Sequence, residues 1–216
     1  MIASLLPDAV VTVEAGDADW TAPLLPDEAA LITRAVEKRR REFTAGRTCA
    51  RRALARLGWP DFAVVAGPRR EPLWPPGIVG AITHCPGYCA AAVARIEDVR
   101  ALGIDAEVRG PLPNGVGDMV CTPDELRRMQ AMPGDHWGTL LFSAKESIYK
   151  AWYPVAERWL DYKDADLAIE PDEGRFRARI LLPVEPEVWP WNPLEGRFAL
   201  GPERVYTAVV VPAGAA

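Results

Sequence analysis

The sequence holds few of the residues that bind soft metals or form disulfide bridges. Among its 216 residues are two histidines and four cysteines, and no two cysteines have the Cys-x-x-Cys spacing. A structural zinc site needs four soft ligands at close spacing, so this composition does not favour one. We expect the cysteines to be reduced and mostly buried thiols.

Long apolar runs are missing as well. No stretch approaches the roughly 18 residues that a membrane-spanning helix needs, and residues 1–8 lack the basic region and cleavage pattern of a signal peptide. The sequence therefore predicts a cytoplasmic protein that does not contact a membrane. Its net charge of −5 argues against general nucleic-acid binding.

Positive charge is nevertheless concentrated in one segment of this acidic chain. Between Arg34 and Arg56, nine residues are basic and only two, Glu37 and Glu42, are acidic. A basic helical segment of this kind predicts a specific polyanionic partner. A solvated helix face is the alternative interpretation for most of these residues.

Hydrophobic patterns and cap residues predict helix followed by strands in each half of the chain. One helix is expected from Asp27 to about residue 57, with a possible break at residues 44–46, and a long helix is expected at residues 135–152, ended by Pro154. The other expected elements are a short helix at residues 123–129 and strands at residues 62–66, 78–84, 89–96, 100–108, 166–170, 174–182, 196–200 and 205–211, the last four as an antiparallel meander.

Two short blocks hold the side chains best suited to chemistry. In Gly-Ile-Asp-Ala-Glu at residues 103–107, Asp105 and Glu107 point to the same face if the segment is a strand. In the second block, Glu146 and Lys150 are four residues apart and project from one side of a helix. Three carboxylates form a hard, oxygen-only set suited to Mg²⁺, which usually works together with substrate phosphates. The arrangement predicts metal-assisted chemistry on a phosphate ester.

Each block also has a purely structural interpretation. Asp105 and Glu107 could be surface carboxylates of an edge strand, but two like charges in an otherwise apolar run are poorly solvated without a cation. Glu146 and Lys150 could form an ordinary helix-stabilising pair. Apolar neighbours on both sides of that pair argue against this second alternative.

Further segments extend the two blocks into an ordered set of motifs between about residues 39 and 165. They are Arg41-Glu42-Phe43-Thr44-Ala45-Gly46-Arg47, Arg69-Arg70-Glu71-Pro72, Ile82-Thr83-His84-Cys85, Phe142-Ser143-Ala144-Lys145-Glu146 and Trp159-Leu160-Asp161-Tyr162-Lys163-Asp164-Ala165. Together they resemble the 4′-phosphopantetheinyl transferases, in particular the pseudodimeric type named for the enterobactin and surfactin synthetases and its actinobacterial, mycobacterial-lipid-type subgroup.

The resemblance implies a fold as well as an activity. The family fold is α+β, with two similar α/β halves related by a pseudo-twofold axis and the active site in the cleft between them. We expect the halves to be residues 1–103 and 104–216. A pseudodimeric member normally works as a monomer.

The implied reaction is transfer of the 4′-phosphopantetheine arm of coenzyme A to a serine of an apo acyl or peptidyl carrier protein, with release of adenosine 3′,5′-bisphosphate. Mg²⁺ would be held by Asp105, Glu107 and Glu146. Glu146 would also be the candidate base for the serine proton, and Lys150 would stabilise the transferring phosphoryl group. Residues implied in coenzyme A binding are Arg47, Arg51, Arg69, Arg70, Thr83, His84 and Lys145, with the Thr-His pair at the 3′-phosphate.

The chain departs from the family pattern at two places. Many relatives have Lys-Gly where this chain has Arg69 and Arg70; an arginine can replace the lysine at a phosphate, whereas Arg70 in place of glycine puts the loop backbone in question. Phe142 stands where surfactin-type members have tryptophan, and it matches the enterobactin type.

The sequence also leaves two other functions open. They are another Mg²⁺-dependent phosphate-ester enzyme and a non-catalytic module that binds coenzyme A or a carrier. No P-loop or Gly-x-Gly-x-x-Gly motif supports the first. The pathway of the carrier, whether fatty acid, polyketide, nonribosomal peptide or siderophore, is also left open by these motifs.

Overall fold

The computed structural model describes residues 1–214 and shows an α+β protein built on two antiparallel sheets. Within that range the helices are α1 (Pro26–Ala30), α2 (Glu37–Arg56), α3 (Val116–Val120), α4 (Pro123–Gln130) and α5 (Trp137–Ala156). The strands are β1 (Val11–Glu14), β2 (Ile78–Cys85), β3 (Tyr88–Arg95), β4 (Val99–Val108), β5 (Ala165–Glu170), β6 (Arg175–Ile180), β7 (Leu194–Leu200) and β8 (Arg204–Pro212). No helix in the described range is both long and apolar enough to cross a membrane.

The first sheet is built around an alanine-rich strand. Its order is β1-β3-β2, and the residues from Ala90 to Ala94 in the central strand β3 are all buried. Successive side chains of a strand point to opposite faces, so Ala91 and Val93 pack against α2, whereas Ala90, Ala92 and Ala94 pack against the second sheet. Small side chains allow this close packing on both faces.

The second sheet has the order β4-β8-β7-β6-β5. Strands β5 to β8 pair in chain order and antiparallel, which confirms the predicted meander. Helix α5 lies on one face and buries Leu140, Ala144 and Ile148 against it, with Trp152 and Phe176 in the same apolar cluster. Strand β4 pairs with β8 and forms an edge of this sheet.

The two sheets meet where β2 lies against β4. Ala81 of β2 and Ile104 and Ala106 of β4 belong to one buried apolar cluster between the sheets. The predicted division between residues 103 and 104 falls inside β4, and the whole of that strand belongs to the second sheet. Each half carries a helix of 20 residues on antiparallel strands; the pseudo-twofold relation between the halves stays a prediction.

Three predicted elements are corrected by the structure. The helix predicted from Asp27 is two helices that are separated at residues 31–36, and residues 44–46 lie unbroken within α2. Residues 62–66 form no strand and contribute only an isolated bridge at Ala66. Helix α5 continues past Pro154 to Ala156: the proline removes only its own backbone hydrogen bond, and the helix ends two residues later.

Candidate active site

A cleft of about 250 Å³ opens between the two halves. Helix α2, the loop at residues 69–74, strand β2 and helix α5 form its walls. The side chains that line it include Arg39, Glu42, Phe43, Arg47, Arg69, Arg70, Glu71, Trp74, Ile82, His84, Glu146, Tyr149, Lys150 and Tyr153. One wall is therefore rich in arginine, and the opposite wall carries the glutamate and lysine of α5.

A glycine brings the two predicted carboxylate blocks together. A Cβ added at Gly103 of β4 would lie 1.8 Å from the backbone oxygen of Ser147 in α5. Because that position tolerates no side chain, the helix packs directly on the strand. The contact explains how residues far apart in sequence, Asp105 and Lys150, come within 2.7 Å through Oδ1 and Nζ.

Asp105 is the most constrained carboxylate of the site. Its side chain is buried, with a residue exposure of 4%, and Oδ1 accepts from Thr83 Oγ1 at 3.0 Å as well as from Lys150. Its other oxygen, Oδ2, is buried without a hydrogen-bond partner in the described chain. A buried carboxylate oxygen without a donor is unfavourable, so Oδ2 fits a position that a cation completes.

Thr83 holds this strand edge rather than lining the cleft. Its Oγ1 donates to Asp105 and accepts from the backbone N–H of Ala106 at 3.0 Å, and its residue exposure is 2%. The outer backbone groups of an edge strand need partners when they are buried. Thr83 supplies one, and Lys150 Nζ supplies another by donating to the carbonyl of Ile104 at 3.1 Å. Thr83 does not line the cleft, so its role in coenzyme A binding stays a prediction that these contacts do not support.

Glu107 experiences the negative electrostatic field of Asp105 and Glu146. Burial, followed by repulsion from Asp105, raises the pKa of Glu107 to about 7, and Glu146 acts in the same direction. Like charges raise a carboxyl pKa when no cation compensates them. Among residues 1–214, no three His, Cys, Asp or Glu side chains are placed so that together they could hold a metal ion. The oxygen-only donor set and the unpartnered Oδ2 nevertheless fit a hard divalent cation.

Glu146 has a partner that the sequence did not single out. The hydroxyl of Tyr162 donates to Glu146 Oε1, and burial raises the pKa of this phenol, with the adjacent glutamate acting in the same direction. Tyr162 therefore remains a neutral donor. Its only sequence signal was its place within the last of the five motifs.

The arginine-rich wall surrounds a half-buried histidine. Nε2 of His84 lies 3.2 Å from Arg39 Nη1, and Nδ1 lies 3.8 Å from Glu42 Oε2. Burial lowers the pKa of His84. Arg47 is 7% exposed and places its guanidinium 4.3 Å from the ring centre of Phe43, and burial lowers its pKa to about 10. Its Nε has no partner in the described chain, so a guanidinium N–H is available to an anionic ligand.

The loop that carries Arg69 and Arg70 keeps the backbone a glycine would favour. Arg70 has a φ of 69°, a left-handed conformation that is unusual for residues other than glycine. Glu71 holds the turn, since its Oε2 accepts from the N–H of Arg69 at 2.8 Å. A Cβ at Gly67 would lie 2.1 Å from Glu71 Oε1. Arg70 therefore holds a glycine-like backbone conformation at a cost in conformational energy.

This strain leads to a stability prediction. We expect Arg70→Gly to have a free energy of unfolding about 1 kcal/mol higher than that of Arg70→Ala, because only alanine keeps a Cβ in the left-handed region. Urea unfolding of both variants gives the difference. Arg69→Gly and Arg69→Ala are the matched control: Arg69 is not at positive φ, so glycine should be the less stable of that pair. The same order at both positions would contradict the assignment.

Two further residues that were predicted to bind coenzyme A, Arg51 and Lys145, make structural contacts within the protein instead. Arg51 donates to the fully buried Glu28 of α1 and, at 3.0 Å, to the carbonyl of Pro23. Lys145 is 3% exposed. Its ammonium donates to Glu125 Oε2 at 2.8 Å and to three backbone oxygens, those of Val120, Tyr162 and Ala165. The Lys145 ammonium is thus enclosed by acceptors of the protein, and neither Lys145 nor Arg51 lines the cleft. Their role in coenzyme A binding stays a prediction that these contacts do not support.

Helical spacing could have identified the cleft residues that were missed. Tyr149 and Tyr153 lie three and seven residues after Glu146, on the same helix face, and their rings stack at 5.7 Å. Arg39 and Phe43 precede Arg47 by eight and four residues, again on one face. Reading each helix outward from its motif residue would have predicted these neighbours.

Comparison with known proteins agrees with this geometry. A model of the 4′-phosphopantetheinyl transferase N-terminal domain matches residues 27–94, and a model of the 4′-phosphopantetheinyl transferase superfamily matches residues 101–204. The 4′-phosphopantetheinyl transferase Svp of Streptomyces mobaraensis is 49% identical over 227 residues, covering 100% of this chain and 92% of that protein. The 4′-phosphopantetheinyl transferase PptT of Mycobacterium tuberculosis is 44% identical over 223 residues, with 98% of each protein covered.

A more distant likeness covers about half of the chain. Enterobactin synthase component D of Salmonella typhi is 35% identical over 119 residues, which are 53% of this chain and 49% of that protein. The full-length matches thus lie among actinobacterial proteins and the partial match lies in the enterobactin type, as the motifs predicted. The chain belongs to the 4′-phosphopantetheinyl transferase superfamily and is an enzyme of its actinobacterial subgroup.

Proposed function

We propose that the cleft transfers the 4′-phosphopantetheine arm of coenzyme A to a serine hydroxyl of an apo carrier protein, releasing adenosine 3′,5′-bisphosphate. One observation carries the proposal: a single cleft has arginines on one wall and, on the other, a glutamate and a lysine that pairs with a buried strand aspartate. Anion recognition and carboxylate chemistry are both needed to move a phosphoryl group.

The arginine wall is proposed to bind the nucleotide end of coenzyme A. Arg47 and Arg69 offer guanidinium N–H groups that can grip a phosphate bidentately, and both line the cleft. His84 with Arg39 is assigned to the 3′-phosphate. The partly desolvated position of Arg47 strengthens its attraction for an anion, because solvent screening is weaker there. Arg70 is retained as a contact, and Thr83, Arg51 and Lys145 are not.

The carboxylate end is proposed to hold Mg²⁺ through Asp105, Glu107 and Glu146. When bound, this ion neutralises the diphosphate and stabilises the leaving group. The partner-free Oδ2 of Asp105 and the raised pKa of Glu107 both indicate that this corner accepts positive charge.

Two side chains of the protein are assigned to proton transfer and to stabilisation of the charge that develops in the reaction. The serine oxygen forms a bond to the β-phosphorus, the bond from that phosphorus to the bridging oxygen breaks, and its electron pair leaves with the nucleotide phosphate. Glu146 accepts the serine proton. Lys150 has two acceptors, Asp105 and the Ile104 carbonyl, so one N–H has no acceptor among residues 1–214 and can reach the transferring phosphoryl group.

The partner is proposed to be an apo acyl or peptidyl carrier protein, and the working unit a monomer, since both walls of the cleft come from one chain. A cytoplasmic location accompanies this proposal because the four cysteines are free and buried thiols, which suit a reducing compartment.

The defining experiment incubates the protein with coenzyme A, Mg²⁺ and several apo carriers, and then measures the mass of each carrier. We expect a gain equal to one phosphopantetheine group on the acceptor serine and none on its Ser→Ala variant. A hydrolase would consume coenzyme A without labelling the carrier. A binding module would leave both unchanged.

Glu146 is expected to act on the chemical step more than on coenzyme A binding. Glu146→Gln keeps the shape but weakens the proposed base and ligand, so kcat should fall by about 10²-fold or more. Calorimetry with Mg²⁺ present should show a smaller loss of coenzyme A affinity. Glu170→Gln is the control, a strand carboxylate that pairs with Arg177 away from the cleft. A collapse of affinity with an unchanged maximal rate would assign Glu146 to cofactor binding alone.

A further inference from the structure

Tyr162 is held at both ends by consecutive residues of α5. Its hydroxyl donates to Glu146 Oε1, and its backbone carbonyl accepts from Lys145 Nζ at 2.6 Å. The residue begins the 3₁₀ turn Tyr162–Asp164, which leads into β5. Two adjacent helix residues therefore orient one tyrosine, and the tyrosine in turn contacts one of them through its side chain.

The other contacts of this tyrosine make its position rigid. Its ring lies against Phe142, with 5.7 Å between the ring centres. Lys145 also bonds Glu125 and the Ala165 carbonyl, so the turn that carries Tyr162 is tied to both α4 and α5. A tyrosine has only two side-chain torsions, and here the backbone, ring and hydroxyl are each held. Glu146 has three torsions and is only half-buried, so its carboxylate benefits most from an external donor.

We propose that Tyr162 is a positioning residue for Glu146, oriented for that role by Lys145. Its hydroxyl occupies one lone pair of Oε1 and restricts the glutamate to one orientation, so the carboxylate needs little reordering to bind a cation or take a proton. Donors to a metal-binding carboxylate act in this way in metal sites, and their loss lowers metal affinity or activity by about 10–100-fold. The inference rests on the proposed role of Glu146.

Tyr162→Phe tests the inference, because it removes one oxygen and keeps the ring against Phe142. Mn²⁺ serves as a probe, since it also prefers carboxylate oxygens and its free form can be counted by electron paramagnetic resonance. We expect the Mn²⁺ dissociation constant to rise by about 10-fold and kcat to fall by a similar factor. Coenzyme A affinity without metal should change by less than about twofold, since Tyr162 does not line the cleft.

Tyr88→Phe is the matched control. Its hydroxyl is buried, and the residue lies in β3 of the first sheet, away from Glu146. This variant should leave Mn²⁺ binding and kcat unchanged. If Tyr162→Phe behaves like Tyr88→Phe in both measurements, Tyr162 serves only the fold and the inference is wrong.

A double variant separates the inference from the proposed function. If Tyr162 acts through Glu146, Tyr162→Phe adds no further loss of Mn²⁺ affinity to Glu146→Gln, because contacting residues in one network are not additive. Full additivity would overturn the inference while leaving the role of Glu146 intact. A Glu146→Gln variant with unchanged Mn²⁺ affinity and kcat would instead overturn the proposed function.

Discussion

Asp105→Asn is expected to lower kcat/KM for carrier modification by about 10³-fold, the upper range for removing one group that stabilises charge in an enclosed site. The substitution keeps the shape but removes the charge that attracts a cation at Oδ2 and pairs with Lys150 at Oδ1. In this variant Lys150 can still donate to the carbonyl of Ile104, and its side chain is 25% exposed to solvent. We therefore expect the variant to fold, because the remaining charge is still partly solvated.

The chain offers a closely matched control for this substitution. Asp166 is also a strand carboxylate whose Oδ1 accepts from a threonine hydroxyl, Thr122 at 3.1 Å, and from a cation, Arg128 at 2.8 Å. Asp166→Asn therefore removes an equivalent ion pair outside the cleft, and carrier labelling should stay within about twofold of the unmodified protein. Steady-state labelling at saturating Mg²⁺ measures both variants. Near-normal turnover of Asp105→Asn would remove this residue from the proposed metal site.

Lys145→Met is expected to lower the free energy of unfolding by about 3–5 kcal/mol, the range measured when one partner of a buried ion pair is removed. The side chain of Lys145 is 2% exposed and that of Glu125 is 0% exposed. Burial lowers the pKa of Lys145 even though Glu125 favours its charged form. Removal of the ammonium leaves a buried carboxylate and three backbone carbonyls without this donor, so the loss exceeds that of an ordinary surface pair.

Urea unfolding of three variants tests the stability prediction. Lys145→Met combined with Glu125→Gln should recover part of the loss, because the second change removes the uncompensated charge. Arg127→Met is the control, since its pair with Asp124 on α4 is exposed at 73% and 61%, and such pairs contribute about 0–1 kcal/mol. If Lys145→Met is as stable as the unmodified protein but loses coenzyme A affinity, the lysine contacts the cofactor as the family resemblance implied.

Local periodicity predicted which carboxylates and which lysine share a face, and the structure brings Asp105 and Lys150 together. A spacing of two on a strand and of four on a helix determines which side chains share a face, so the set of Asp105, Glu107, Glu146 and Lys150 could be predicted. Strand patterns likewise predicted the meander from β5 to β8. The break predicted at residues 44–46 lies instead at residues 31–36, because a glycine within a helical pattern does not by itself end the helix. In the structure Gly46 allows a close approach instead, its added Cβ lying 3.0 Å from Ile82.

Which basic residue faces a ligand could not be read from the same periodicity. Arg47 and Arg51 are one helical turn apart on α2, yet Arg47 lines the cleft and Arg51 pairs with Glu28 of α1. Lys145 and Lys150 lie on the same helix, yet only Lys150 reaches the cleft. The sequence shows how residues are arranged around one helix, but not which element packs on each face.

The chain's own patterns were sufficient for the family and the α+β class, because motifs and alternation are local properties. Only the tertiary packing decided that Thr83 supports Asp105, that Lys145 ties α5 to α4 and β5, and that Tyr162 meets Glu146. These contacts join residues that are 16 to 22 positions apart in the sequence. Buried polar groups must find partners wherever the fold brings them, and no local rule names those partners in advance.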